Sequence, residues 1–194
     1  MFDNIRIDFK RYNLKKQQCA FNFFLFLRSI IGAYGFHATL VYRYGHWVKK
    51  KTASPCLLTL MCPLHGLYLF LNWCIIKCYD IQLSREAEIG PGLYIGHFGG
   101  IDVGRCRIGR NCSIQQHTKI NGNLITHHIP QIGSNVWIGA HSTINGEVII
   151  GDGATIAAGA VVNNNIGGKC LAAGDPARII NLNYDNTDIL GIIL

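Results

Sequence analysis

Aliphatic residues recur at every sixth position through the second half of the chain. They stand at Ile89, Ile95 and Ile101, and resume at Ile108, Ile114 and Ile120. They then continue from Ile132 through Ile138, Ile144, Ile150 and Ile156 to Val162. The empty slot at Thr126 preserves the phase. An α-helix demands a period of 3.6 and a half-buried strand a period of two, so neither accounts for this register. A six-residue period suits a coil of three short sides, each a brief parallel strand and a turn, with one aliphatic residue per side pointing inward. Glycine often follows that residue, as at Gly90, Gly96, Gly109, Gly133, Gly139 and Gly151. The chain is therefore predicted to be mainly β: a single-stranded left-handed parallel β-helix of hexapeptide repeats, preceded by an α-helical N-terminal region.

The repeat breaks twice. The step from Ile101 to Ile108 is seven residues, so one residue is inserted after the segment Ile95-Gly96-His97-Phe98-Gly99-Gly100. The second break is the polar stretch 121–130, which carries His127 and His128. In a solenoid such departures map to loops on one face, and those loops are where function concentrates.

The first half has a different character, which divides the chain into a basic, apolar helical region (1–85), the β-helix domain (86–181) and a C-terminal tail (182–194). Residues 1–85 hold twelve Lys/Arg against three acids, a surplus of nine, whereas the remainder holds six against eight. A surplus so placed points to an anionic surface as partner. Tyr42-Arg43-Tyr44-Gly45-His46-Trp47 interleaves aromatics and bases, but no nucleic-acid motif accompanies it, and nucleic acid is not expected. The apolar stretch from Cys56 to Tyr79 is interrupted by Pro63, His65, Asn72 and Lys77, which predicts a buried or interfacial helix rather than a membrane span. No secretory signal is evident around Cys19–Tyr34. The eight cysteines contain no C-x-x-C pair and read as buried thiols of a reducing compartment, with no metal expected.

Over about residues 82–181 the chain resembles the hexapeptide acyltransferases, in their serine acetyltransferase-like branch. The carriers are the repeats, the segment from Ile89 to Gly100, and the closing Ala172-Ala173-Gly174-Asp175-Pro176-Ala177-Arg178. The resemblance implies direct acetyl transfer from acetyl-CoA to a hydroxyl, with a histidine as general base and backbone N–H groups stabilising the oxyanion. A neutral imidazole suits that task. His97 occupies the family's catalytic-histidine position, and His117, one coil later, is the competing base. His127 and His128 are further candidates, and His141 reads as an exposed coil residue. By the same resemblance Ala140, Ala158, Asn163 and Arg178 match CoA-contacting positions, with Lys169 a weaker phosphate contact.

The pattern departs from the family where an acid precedes the histidine (Gly96 here), at a second acidic position (Gln82), and at a second histidine (Ile129). Asp80, Asp102 or a backbone carbonyl remains to orient His97. The acceptor implied is serine or a related small molecule. A sugar hydroxyl in surface-polysaccharide assembly is the alternative, and a non-catalytic scaffold is the second. The resemblance further implies a homotrimer. A cytoplasmic location is expected, with residues 1–85 in peripheral contact with an anionic membrane.

Overall fold

The computed structural model describes residues 2–14, 33–52, 58–122 and 129–191. Helices α1 (Phe2–Leu14), α2 (Tyr34–Thr52) and α3 (Leu58–Tyr79) precede the strands. The strands fall into three sheets, each taking every third strand as far as β13. The first sheet holds β1 (Ile81–Leu83), β4 (Ile101–Val103), β7 (Lys119–Asn121), β10 (Thr143–Asn145) and β13 (Val161–Val162). The second holds β2 (Glu88–Ile89), β5 (Arg107–Ile108), β8 (Gln131–Ile132) and β11 (Ile149–Ile150). The third holds β3 (Tyr94–Ile95), β6 (Ser113–Ile114), β9 (Trp137–Ile138), β12 (Thr155–Ile156) and β14 (Leu171–Ala173), and closes with β15 (Arg178–Asn181). Apart from the antiparallel β14–β15 pair, the pairings are parallel. This is the expected solenoid.

Its core is three aliphatic columns. Ile89, Ile108, Ile132 and Ile150 stack in one. Ile95, Ile114, Ile138 and Ile156 stack in the next, ending on Ala172. The third runs Leu83, Val103, Ile120, Ile144 and Val162. All are buried. Val103 rather than Ile101 thus continues the third column, while Ile101 pairs with Ile81 and is buried beside it. The extra residue of that coil is absorbed at the corner before β4. The polar stretch behaves differently. Ile108 pairs directly with Ile132, twenty-four positions on, so this coil carries one whole hexapeptide more than the regular three. Thr126 is the residue that keeps the six-residue phase across this stretch. It lies with His127 and His128 outside the described residues.

The strands β1, β2 and β3 are the first of their sheets, and each would present an unpaired backbone edge. Side chains from α1 and α2 cover the edges of β2 and β3. The Tyr42 hydroxyl donates to the Ala87 carbonyl (2.6 Å) and accepts from Ile89 N–H (3.2 Å). The Arg43 guanidinium donates to the carbonyls of Ile89 and Gly90. Asp8 Oδ1 accepts from Gly92 N–H (2.6 Å) and Leu93 N–H (3.1 Å). Arg11 donates to the Gly92 carbonyl and to Ser113 Oγ, and the Tyr12 hydroxyl accepts from Ile95 N–H (2.8 Å). Asp8 and Arg43 are themselves paired at 3.0 Å, both buried. Burial pulls the Arg11 pKa down to about 10 and pushes that of Tyr42 up to about 12.

This changes the reading of the first half. Arg11 and Arg43 serve the solenoid from inside, so part of the basic surplus is structural. The two regions share one core, in which Val41, Tyr42, Tyr68 and Ile75 pack with the aliphatic columns. The sheets begin at Ile81, ahead of the boundary drawn at 86. At the other end the tail folds back, with Asn186 Nδ2 donating to the carbonyls of Asn135 and Gly153. Among the described residues no helix is long and apolar enough to cross a membrane.

The clamp sets an energetic expectation. Asp8→Ala leaves Arg43 buried without its partner and two amides without acceptors, a loss of about 3–5 kcal/mol. Glu86→Ala removes only the exposed contact with Lys49 and costs less than about 1 kcal/mol. Urea unfolding of the two variants measures the contrast, and equal midpoints would remove the clamp from the account.

Candidate functional site

Each coil turns from the third sheet to the first at a corner, and the corners of successive coils stack into an edge. The first corner is the loop carrying His97, Phe98, Gly99 and Gly100, between β3 and β4. The next two are occupied by His117 and His141, both with left-handed backbones (φ 55° and 60°), and the fourth by Gly159 (φ 72°). Backbone hydrogen bonds tie them in order: His117 N–H to the Gly99 carbonyl, His141 N–H to Gln116, and Gly159 N–H to Ala140. Beneath the surface the hydroxyls of Thr118 and Ser142 both donate to the Gly139 carbonyl and close the turn from inside.

His97 is exposed, and no hydrogen bond reaches its ring from the described residues. Neither Asp80 nor Asp102 orients it. Asp80 instead holds the loop backbone. Its Oδ2 accepts from Gly100 N–H at 2.7 Å, its carbonyl accepts from Ile101 N–H, and the preceding Tyr79 carbonyl accepts from Gly99 N–H. Phe98 packs edge-on against Tyr34, which in turn meets Tyr79. His37 Nδ1 lies 3.3 Å from the Tyr79 hydroxyl. The loop is thus anchored to the ends of α2 and α3, with the imidazole left at its surface.

His117 lies beside the same loop. A Cβ at Gly100, whose φ is 62°, would collide with His117 Nδ1. On its other side His117 stacks on His141, with ring centroids 4.5 Å apart and planes 19° from parallel. The sequence alone read His141 as an exposed coil residue. The signal for the stack was the coil register, which brings positions 117 and 141 to adjacent coils once Ile108 is paired with Ile132.

Ala140 and Ala158 occupy neighbouring coils of this edge, and their amide N–H groups find no acceptor among the described residues. Arg178, at the start of β15, pairs with Ala173 where β14 runs into the same corner, so it marks the C-terminal end of the edge. It is exposed. Asn163 follows β13 and sits at the next corner, away from the edge. Lys169 is likewise remote, with its N–H on the Asp152 carbonyl. The reading of the cysteines as buried thiols holds for Cys106, Cys112 and Cys170, whereas Cys62 and Cys78 on α3 are exposed; burial pushes Cys106 up to about 12 and Cys112 up to about 11, so neither is a nucleophile. No cluster of metal-ligating side chains occurs among the described residues. A cleft of about 560 Å3 lined by Arg43, His46, Trp47, Lys50 and Glu88 lies on the helical side, remote from the histidine edge.

The three-sheet parallel solenoid with inward aliphatic columns is the architecture of the hexapeptide-repeat transferases, and residues 129–164 match the bacterial transferase hexapeptide family (six repeats). Curated proteins similar to this chain include serine acetyltransferases. The chain is 34% identical over 149 residues to the serine acetyltransferase of Salmonella typhimurium, covering 75% of this chain and 50% of the relative. The chain therefore spans about half the length of the curated relatives it matches. Soybean serine acetyltransferase complexed with serine superposes with a TM-score of 0.74 at 27% identity, over 92% of this chain and 68% of that one. Serine acetyltransferase of Brucella abortus in complex with coenzyme A gives 0.75 at 25%, over 93% and 67%.

The contact at Gly100 is open to a direct check. Gly100→Ala strains a left-handed position by about 1–2 kcal/mol and pushes the His117 ring aside. Histidine ring resonances followed by NMR should then move for His117 and His141. If they stay in place, the loop does not set the His117 ring.

Proposed function

We propose that the chain is an acetyl-CoA-dependent O-acetyltransferase that acts on the hydroxyl of serine or a related small acceptor. One observation carries this reading. The expected base His97, the competing base His117, and the CoA positions Ala140, Ala158 and Arg178 share a single edge of the solenoid, in a chain whose curated relatives include serine acetyltransferases. Acetyl-CoA would supply an acetyl group activated as a thioester. The residues present fit it. The side chains of Ala140 and Ala158 are small enough to admit an extended pantetheine arm. Their unused N–H groups are ready donors for its carbonyls, and Arg178 has no carboxylate partner among the described residues and can meet phosphate.

His97 acts as general base. Its neutral ring nitrogen takes the proton of the acceptor hydroxyl as the oxygen attacks, then returns it to the departing thiolate. Backbone N–H groups stabilise the charge that develops on the carbonyl oxygen. Those of Gly99 and Gly100 are already engaged by Tyr79 and Asp80, so the donors come from elsewhere on the edge. His117, backed by His141, lines the acceptor side. The edge is a projecting corner on one chain, and a second copy would supply its facing wall, which supports a homotrimer. A sugar hydroxyl of a lipid-carried glycan is a second reading. It is favoured by Gly96, Gln82 and Ile129, which stand where the family carries its acids and second histidine. A cytoplasmic location with peripheral membrane contact suits either acceptor.

Thiol release from acetyl-CoA with a panel of serine, galactosides and cell-envelope glycans tests the reading, and silence with every acceptor would sink it. His97→Ala should lower turnover by roughly 10²–10⁴-fold, while His117→Ala acts mainly on the acceptor KM. If only His117→Ala abolishes turnover, the base is misassigned. Arg178→Ala should raise the KM for acetyl-CoA about tenfold and leave kcat nearly unchanged, which steady-state kinetics separates from a catalytic loss.

A further inference from the structure

Helix α3 has two faces of opposite fate. Tyr68 and Ile75 are buried in the common core, with Leu71 and Tyr79 packed against it. On the far side Leu67, Leu69, Phe70 and Trp73 are 48%, 52%, 59% and 57% exposed. Phe70 and Trp73 stack at 6.4 Å, so the exposed face is a joined surface rather than scattered single residues. The helix carries no acidic residue, and Lys77 closes its last turn. A helix that is apolar all round requires cover on both sides.

The charge around this face says what the cover is. α2 and α3 run antiparallel. His37 meets Tyr79 at one end, whereas the Tyr44 hydroxyl donates to the Leu64 carbonyl towards the other. The Lys49-Lys50-Lys51 cluster at the end of α2 therefore lies towards the start of α3, at the opposite end from Lys77. Lys49 reaches Glu86 and Lys50 lines the cleft beside Glu88, whereas Lys51 has no acidic partner among the described residues. An apolar, aromatic strip bracketed lengthwise by bases, with no acid of its own, is complementary to the headgroup region of an anionic bilayer. At 22 residues the helix is about 33 Å long, and it would lie flat in the interface.

We propose that α3 docks on an anionic membrane surface, with Leu67, Leu69, Phe70 and Trp73 inserted and Lys51 and Lys77 on lipid phosphates. This gives the peripheral contact a defined face and stands whether or not the chain transfers acetyl groups. It also places the histidine edge, since Tyr79 at the end of α3 leads through Tyr34 to Phe98, beside His97. An acceptor hydroxyl carried on a lipid would then arrive at the site from the membrane side.

Flotation of the full chain with phosphatidylglycerol–phosphatidylcholine vesicles tests this, with pure phosphatidylcholine vesicles as the contrast. The bound fraction should fall at least tenfold on pure phosphatidylcholine, in Trp73→Glu and Phe70→Glu, and in the wild type at high salt. Both variants should keep the wild-type thermal midpoint and rate of thiol release. Binding that ignores lipid charge overturns the proposal, as does failure to float on any vesicle. Sedimentation velocity then says what covers the face instead. Self-association that Trp73→Glu abolishes would assign it to a second copy of the chain.

Discussion

The solenoid depends on its first coil being closed from below. A parallel coil satisfies its backbone by pairing with the coils on either side, and the first has no predecessor. Here Asp8, Arg11, Tyr12, Tyr42 and Arg43 take the place of the missing strands, supplying donors to carbonyls and acceptors to amides along β2 and β3. The Asp8–Arg43 pair is favourable in this setting because each partner is also bonded to backbone, so neither charge is left short of contacts in a dry site. With the first coil fixed, every later coil is templated by the one before it.

The candidate site uses the same regularity for another purpose. Since corners stack, whatever stands at one corner is brought next to its counterpart one coil on. The left-handed backbone that a corner requires is usually left to glycine or asparagine. At two consecutive corners this chain spends it on histidine, which aims both rings outward and lays one on the other. Asp80, expected to orient an imidazole, fixes the loop that carries His97, and so acts on the histidine through the chain rather than by contact.

Much of this was legible in the sequence, and the reasons for the rest are specific. The aliphatic columns were readable because their period is rigid. Ile101 misled only because Asp102 is flanked by two buried aliphatics, and counting could not tell which one the next coil would choose. The corner histidines were readable as candidates, and their stacking was not until the long coil had been registered. The clamp left no trace, since Asp8 and Gly92 lie 84 positions apart and nothing local marks an arginine destined for burial. The charge count consequently assigned to an external partner two arginines that the fold consumes. Among the bases that stay exposed, Lys51 and Lys77 are the ones placed to bracket the apolar face of α3.

The excursion after β7 has a consequence for how such a molecule can change. Its surplus is one whole repeat, so the chain re-enters the coil in phase and every later residue keeps its inward or outward sense. Length here comes in quanta. A loop lengthened by a whole repeat leaves the columns above it untouched, whereas one lengthened by a single residue needs a local repair, such as the exchange of Ile101 for Val103 in the first corner. The solenoid is in this sense a punctuated ruler. Segments between the marks can be rewritten to suit a new acceptor, while the positions of the marks, and of the edge that runs across them, are preserved.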